Sequence, residues 1–166
     1  MKLWKFAALS LLFVSSMACA ETIPYKQAQK NGIVTCLPAV KNISEFLIGD
    51  HSNYGASSSW ATNDTDKQMF ISRIEKTYKD GDSELMTMYV APTTSGLCAS
   101  AYEKVTYWPS SCMKVAKETF STFEYKGELN EVITHLAKDG DPLFLMKAGN
   151  GCVSIKQERV NNGNNP

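Results

Sequence analysis

The chain has 166 residues, of which 17 are basic, 17 are acidic and 43% are hydrophobic. This length fits a single domain with a core of its own. The balanced charge leaves no basic stretch that could follow a phosphate backbone or an anionic lipid surface. The composition therefore argues against nucleic-acid binding and against electrostatic attachment to membranes.

Residues 1–20 have the pattern of a cleaved secretory signal peptide. Lys2 and Lys5 precede a short apolar run, and Ala18 and Ala20 supply the small residues that a signal peptidase requires. The apolar run is shorter than the roughly 20 residues that a membrane-spanning helix needs. We therefore expect an exported protein, periplasmic or secreted, with no integral membrane segment after cleavage.

Cys19 leaves one alternative to free export. A lipoprotein would be cleaved before this cysteine and acylated on it, which would hold the domain at a membrane surface. Ser16 stands where the usual bacterial pattern has a leucine-like residue, so cleavage after Ala20 is favoured.

The mature chain begins with a polar lead-in, which is followed by a predicted helix. In the stretch CLPAVKNISEFLIG, Val40, Ile43 and Leu47 recur at helical spacing. Pro38 suits a first helical turn, and Gly49 suits the residue that ends a helix.

Residues 49–68 form a long polar segment of small side chains around Tyr54 and Trp60. Unstructured loops of about twenty residues are uncommon in compact domains and are often functional. We therefore take this segment as the candidate binding loop, with His51, Tyr54 and Trp60 as candidate binding residues. The alternative is a connector in which Trp60 only anchors the chain to the core.

A β-hairpin is predicted next. MFISRIEKTY and SELMTMYV flank the turn KDGD, in which Asp80-Gly81 is a strong hairpin pair. Met86, Met88 and Val90 alternate with Thr87 and Tyr89 along the second strand, so one face of that strand points inward.

A third strand is expected over residues 99–108, because Pro109 cannot donate a hydrogen bond to a ladder. A helical stripe with a serine N-cap follows from Cys112. LNEVITHLA repeats such a stripe and predicts another short helix, which Gly140 of a second KDGD could cap. FSTFEY between them has strand propensity, so residues 113–138 are open between helix and strand.

The last predicted hairpin joins LFLM to CVSIK through Gly149-Asn150-Gly151. The polar tail, residues 161–166, is expected to fray. The elements together predict one α+β domain over residues 21–160. We expect an antiparallel sheet of about five strands with two or three helices packed on one face.

Four cysteines remain after the signal is removed, which in an exported chain predicts two disulfides. The gaps between them are too long for a zinc site, which usually contains a close pair. Pairing across the strand at 99–108 is disfavoured, because bridged Cα atoms lie within about 7 Å. The four cysteines are Cys36, Cys98, Cys112 and Cys152. The favoured connectivity is Cys36–Cys98 with Cys112–Cys152, and the second choice is Cys36–Cys112 with Cys98–Cys152.

No catalytic pattern stands out. A nucleophile needs a base within hydrogen-bond reach, and the chain has only His51 and His135. The nucleophile elbow, the P-loop, the zinc-protease motif and the dinucleotide fingerprint are absent. The acidic turns lack the EF-hand pattern, so no metal and no other cofactor is predicted.

The leading hypothesis is a small exported, non-catalytic binding or interaction protein, such as an inhibitor, an immunity protein or an envelope accessory subunit. Its expected partner is an envelope or extracellular protein or a glycan, since exposed Tyr and Trp are typical contact residues. One alternative is a small periplasmic hydrolase that uses Asp50, His51 and a nearby serine. A second alternative is a structural subunit of the cell surface.

Overall fold

The computed structural model describes residues 21–79 and 81–160. The predicted signal peptide with Cys19, Asp80 of the first predicted turn, and the polar tail lie outside these residues. The described chain contains helices α1 (Ile23–Lys30), α2 (Leu37–Ile48) and α3 (Cys112–Glu118). Its strands are β1 (Tyr54–Ser59), β2 (Phe70–Thr77), β3 (Ser83–Pro92), β4 (Cys98–Trp108), β5 (Glu124–Leu129), β6 (Ile133–Lys138), β7 (Asp141–Ala148) and β8 (Gly151–Val160).

All eight strands belong to one antiparallel sheet, in the order β1-β2-β3-β4-β8-β7-β6-β5. The prediction of about five strands is therefore wrong. β1 was not predicted, and residues 113–138, which contain β5 and β6, had been left open between helix and strand. These three strands lie at the two outer ends of the sheet. Helix α1, which begins after the N-cap Thr22 and contains Pro24 in its first turn, was not predicted either.

β1 lies within the segment that was predicted to be a loop. Its sequence, YGASSS, contains no β-branched residue and only one large side chain, so it lacks the usual strand signature. Its burial nevertheless alternates: Tyr54, Ala56 and Ser58 are partly buried, and the residues between them are exposed. Pairing with β2 makes this polar stretch a strand.

The helix predicted in LNEVITHLA is instead a β-hairpin. Leu129 and Ile133 pair across a tight turn in which Asn130 and Glu131 have φ angles of 49° and 60°. The four-residue spacing that indicated a helical stripe is thus the spacing of two residues that face each other across this turn. Gly140 caps no helix either.

The second KDGD forms the turn between β6 and β7. Lys138 pairs with Asp141, and the two residues between them, Asp139 and Gly140, have φ angles of 54° and 89°. Positive φ at both central residues is typical of the hairpin turns that suit twisted strands. The predicted hairpin at Gly149 is confirmed, since Ala148 pairs with Gly151.

The two disulfides join Cys36 to Cys98 and Cys112 to Cys152, which is the favoured predicted pairing. Each bridge ties the beginning of a helix to the beginning of a strand, α2 to β4 in one case and α3 to β8 in the other.

The sheet consists of two similar halves, which the sequence does not reveal as a repeat. Each half contains a helix, α2 or α3, followed by four consecutive antiparallel strands, and the first half has the additional helix α1. The halves meet where β4 pairs with β8. Glu103 pairs with Gln157 at this junction. Cys98 lies five residues before Glu103 on β4, and Cys152 lies five residues before Gln157 on β8. The halves are therefore related by an approximate two-fold axis perpendicular to the sheet.

Both halves place their helices on the same face of the sheet. The larger core packs α1 and α2 against β2 and β3 and includes Met86 and Met88. The smaller core packs α3 against β7 and β8 and includes Leu145 and Cys152. The strand registers place all four side chains on one side of the sheet. We call the opposite side the open face, because none of the described helices covers it.

Candidate functional site

The three predicted binding residues do not form one site. Tyr54 begins β1, where its hydroxyl oxygen accepts a hydrogen bond from the Ile23 N–H at 3.1 Å. Trp60 follows the other end of β1, and both rings pack against the larger core. A six-residue strand separates its ends by roughly 20 Å. Tyr54 and Trp60 thus anchor the edge strand to the core.

His51 lies in the turn after α2, beside a cavity of about 570 Å³. Its ring contacts the edge of the Tyr78 ring, with centroids 4.8 Å apart. Lys76 lies nearby and donates a hydrogen bond to the Leu47 carbonyl at 3.0 Å. Burial lowers the pKa of the Lys76 ammonium below its usual range.

Ser57, Ser58 and Ser59, which follow His51 in the predicted loop, lie on β1 and not in that cavity. Ser58 points to the helix-covered side and bonds to the Ser72 hydroxyl at 2.9 Å. Ser57 and Ser59 point to the other side. Ser52 is the one serine among the described residues that line the cavity, which is otherwise formed by Asp50, His51, Asn53, Thr77, Tyr78 and Lys79.

The rest of the predicted loop is held by Asp66. Its carboxylate accepts hydrogen bonds from the Val34 N–H at 2.6 Å, the Thr35 N–H at 2.8 Å and the Thr35 hydroxyl at 2.7 Å. The Thr35 hydroxyl contributes most to holding the pKa of Asp66 below its ordinary value, and the backbone donors add to the effect. The segment after β1 is therefore fixed to the chain just before α2.

A charged strip separates the two cores on the helix-covered side. Glu84 is buried, with only 7% of its surface exposed, and its carboxylate contacts the Lys104 ammonium at 3.0 Å. It also accepts hydrogen bonds from the Tyr78 hydroxyl at 3.0 Å and the Thr106 hydroxyl at 3.2 Å. Glu84 is thus satisfied by three partners, as a buried carboxylate must be.

A second charged group completes the strip. Glu158 accepts hydrogen bonds from the Lys156 ammonium and the Tyr102 hydroxyl. Burial opposes ionisation of Glu158, but these two donors outweigh it and lower the pKa of the carboxyl. Burial and the neighbouring Glu158 raise the pKa of Tyr102 far above its ordinary value. Lys104 and Lys156 are direct cross-strand neighbours, and each has its own glutamate.

The open face carries a contiguous apolar patch across four neighbouring strands. Leu85, Val105, Ile155 and Phe144 form one cross-strand row, and Tyr107, Val153 and Met146 form the next. We call these seven side chains the apolar patch. Leu85 is 43% exposed and Tyr107 is 55% exposed, and the other five are partly buried. Four strands at about 4.8 Å spacing make the patch roughly 15 Å wide.

The apolar patch was not predicted, although the sequence contains a signal for it. In β8, Val153 and Ile155 alternate with Cys152 and Ser154, so the two pairs point to opposite faces of the sheet. The disulfide places Cys152 under α3, so the two apolar residues must point to the uncovered side. A strand with a bridged cysteine on one face and β-branched residues on the other has apolar groups on both faces.

Polar residues border the patch on the open face. Glu103 accepts a hydrogen bond from Gln157 at 2.8 Å, and Arg73 lies two strands away in the same row. In the next row, Tyr89 and Arg159 flank the small Ala101. This leaves a shallow groove of about 590 Å³ that continues toward the turn between β3 and β4.

The described part of the chain contains neither a cluster of metal-binding side chains nor a membrane-crossing helix. No group of three or more His, Cys, Asp or Glu side chains is arranged to hold a metal ion within residues 21–79 and 81–160. In the same part of the chain, no helix combines the length and the apolar character required to cross a bilayer.

The two disulfides are compatible with an oxidising, extracytoplasmic environment. Comparison with known proteins adds no identity to this picture. The chain matches no protein-family model, no curated protein and no solved structure.

Proposed function

We propose that this chain is an exported, non-catalytic protein that binds a partner protein through the open face of its sheet. The apolar patch on that face carries the proposal. An antiparallel sheet commonly has one covered face and one solvated, polar face. Here the uncovered face presents aliphatic and aromatic side chains where polar ones are expected, and exposed apolar patches of this kind are typical of interaction surfaces.

The chemistry of the patch favours a protein over a glycan. None of its seven side chains is charged, and the Tyr107 hydroxyl is its one polar side-chain group. A glycan would have to bury hydroxyl groups here with almost no hydrogen-bonding partners, which is costly. The fitting occupant is an apolar, uncharged protein surface that packs against the strands.

The border of the patch fits the same interpretation. Protein interfaces combine an apolar centre, depleted in charges, with a polar rim. Glu103, Gln157 and Arg159 lie at one end of the patch on β4 and β8, and Arg73 lies beyond it on β2. Tyr107 is the most exposed aromatic ring of the patch, and tyrosine is enriched among the residues that dominate binding energy.

The arrangement of the charged groups supports a non-catalytic role. Glu84 and Glu158, which are the acids of the internal strip, are occupied by hydroxyl and ammonium partners within the domain. His51 lies apart from the serines of β1, and among the described residues only Ser52, its neighbour in the chain, lines the same cavity. The signal-peptide pattern and the two disulfides support export.

Site-specific photo-crosslinking in the native host tests this proposal. A photoreactive phenylalanine analogue replaces Tyr107 in one variant and Tyr125 in the other. The two tyrosines are matched, because Tyr125 is 64% exposed but points to the helix-covered side, as its pairing with Leu136 shows. We expect one discrete crosslinked partner protein from position 107 that is absent from position 125.

The controls decide between specific binding and adhesion. Excess purified unlabelled protein should compete with the crosslink at position 107, and Leu85→Glu should weaken it, because a charge would enter the apolar patch. Equal crosslinking from both positions, or none from position 107, would contradict the proposal.

A further inference from the structure

The two edges of the sheet are protected to very different degrees. The β5 edge carries Glu124, Lys126 and Glu128, and its register shifts between Tyr125 and Gly127. Charges and irregular pairing are the usual means by which proteins keep an edge strand from pairing with other chains. β1, at the opposite edge, has neither a charged residue nor a proline, and its pairing with β2 is regular over all six residues.

The backbone of β1 presents a regular set of hydrogen-bonding groups at this edge. The Thr77 N–H donates to the Asn53 carbonyl at 3.3 Å, so these two residues form a hydrogen-bonded pair. In an antiparallel ladder such pairs alternate with pairs that share no hydrogen bond, and residues of the second kind point their main-chain groups to the other side of the strand. Tyr54, Ala56 and Ser58 therefore direct their main-chain N–H and C=O groups away from β2. Within the described part of the chain, no strand pairs with that side.

The same three residues are held in place by their side chains. The Tyr54 hydroxyl bonds to the start of α1, and Ser58 bonds to Ser72. Ala56 packs against the larger core. The edge is thus already fixed in the conformation that an added strand requires, so pairing there costs little further conformational entropy.

We propose that β1 pairs antiparallel with β1 of a second copy of this chain. With the two-fold axis at Ala56, Tyr54 faces Ser58 of the second copy and Ala56 faces its own counterpart. All three outward N–H groups and all three outward C=O groups of each copy are then used, which gives six hydrogen bonds. A strand that pairs with itself also brings like charges together, and β1 has none, whereas the β5 edge has three charged side chains.

This dimer would join two eight-stranded sheets side by side. The axis is perpendicular to the sheet, so the helices of both copies lie on one side and both apolar patches lie on the other. Edge pairing therefore leaves the open face free, and the inference is independent of the proposed partner binding. The contact is small, so we expect a dissociation constant on the order of 10–100 µM.

Sedimentation equilibrium of the mature, disulfide-bonded chain tests the dimer, with Ala56→Pro as the disrupting variant. The substitution removes an outward N–H but no bond to β2, and proline is tolerated in an edge strand at such a position. Circular dichroism and the intact disulfides verify that the variant folds. We expect a monomer–dimer equilibrium for the unmodified chain and at least a tenfold weaker association for Ala56→Pro.

A matched pair of charge changes provides the control. Ser57→Lys places a positive charge near the proposed axis, and Glu128→Gln makes the same change in net charge at the β5 edge. Association should weaken several-fold at low ionic strength for Ser57→Lys and should be unchanged for Glu128→Gln.

Hydrogen exchange locates the contact. When the protein concentration is raised, the amides of Tyr54, Ala56 and Ser58 should gain protection from exchange. The amides of Gly55 and Ser57, which bond to β2, should keep the protection they already have. A chain that is monomeric at 1 mM, or a dimer that persists in Ala56→Pro, would overturn the inference. Crosslinking at position 107 should be unaffected by Ala56→Pro, so a failure here is distinguishable from a failure of the partner-binding proposal.

Discussion

The Tyr107 ring lies across Gly151 on the open face, so that a Cβ atom at position 151 would overlap both this ring and the Trp108 carbonyl oxygen. The carbonyl belongs to the backbone and cannot turn aside as a flexible side chain could. Gly151 is therefore required by a close approach between β4 and β8 and by the position of an exposed ring of the apolar patch.

We expect Gly151→Ala to lower the free energy of unfolding by about 1–3 kcal/mol, as overpacking usually does. Gly55→Ala is the matched control, because nothing lies within 4 Å of a Cβ atom there. This control should change stability by less than about 0.5 kcal/mol. Chemical denaturation of both variants with the disulfides intact measures the difference, and equal effects would be inconsistent with the close approach.

The two disulfides should differ in what they stabilise. Replacing Cys112 and Cys152 with alanine removes the bridge beside the smaller core, where α3 has only seven residues and is too short to be stable alone. We expect α3 to lose its amide protection before the rest of the domain unfolds, at a total cost of about 2–4 kcal/mol. Residue-resolved hydrogen exchange measures this.

The comparison variant replaces Cys36 and Cys98 with alanine. Its bridge encloses a longer stretch of chain but lies beside the larger core, which holds α2 by itself. Amide protection in α2 should therefore persist in this variant. If this variant lost the amide protection of α2 while that of α3 persisted, the result would contradict the claim that the larger core holds α2 by itself.

Tyr102 should make the domain sensitive to alkaline conditions. Its folded-state pKa is raised above the ordinary value of 10.0, first by burial and then by Glu158. Its contribution to stability is therefore complete below about pH 10 and is lost as the pH rises further, because the unfolded chain ionises first. Tyr102→Phe should flatten the fall in stability above pH 10, as measured by denaturation between pH 8 and pH 11. An unchanged slope would show that Tyr102 is not the responsible group.

Asp66 should control the order of the segment that follows β1. Asp66→Ala removes all three hydrogen bonds to Val34 and Thr35, so we expect faster exchange of those two amides. The lowered pKa of Asp66 means that its contribution is present above the ordinary pKa of 3.8 and is lost as the pH falls through the folded value. Glu118→Ala, on exposed α3, should leave both amides unchanged.

The parts of the fold that the sequence predicted are those where one residue pattern has one structural meaning. Met86, Met88 and Val90 alternate along a buried strand, and α2 buries Val40, Ile43 and Leu47 at helical spacing. Strand length and cysteine geometry also disfavoured the pairing of Cys98 with Cys112, which does not occur, but they did not decide between the two remaining connectivities. In these cases the local pattern and the packing of the domain agree.

The errors arose where pairing with another strand decides the structure. Leu129 and Ile133 fit a helix and a tight hairpin equally well by spacing, and only the neighbouring strand β7 selects the hairpin. β1 is polar because it lies at an edge, so no hydrophobic period marks it. The open face was missed for a related reason, because sequence alone does not show which side of β8 the helices cover.

Cysteine labelling at position 107 tests the central claim most directly, since it needs no knowledge of the partner. Tyr107→Cys and Tyr125→Cys are compared as purified protein and in the native host, and mass spectrometry verifies that the two disulfides are unchanged. A maleimide should modify both positions at similar rates in the purified protein. In the host, position 107 should react at least tenfold more slowly while position 125 is unaffected; equal reactivity of the two positions in the host would contradict the assignment of the open face as the partner-binding surface.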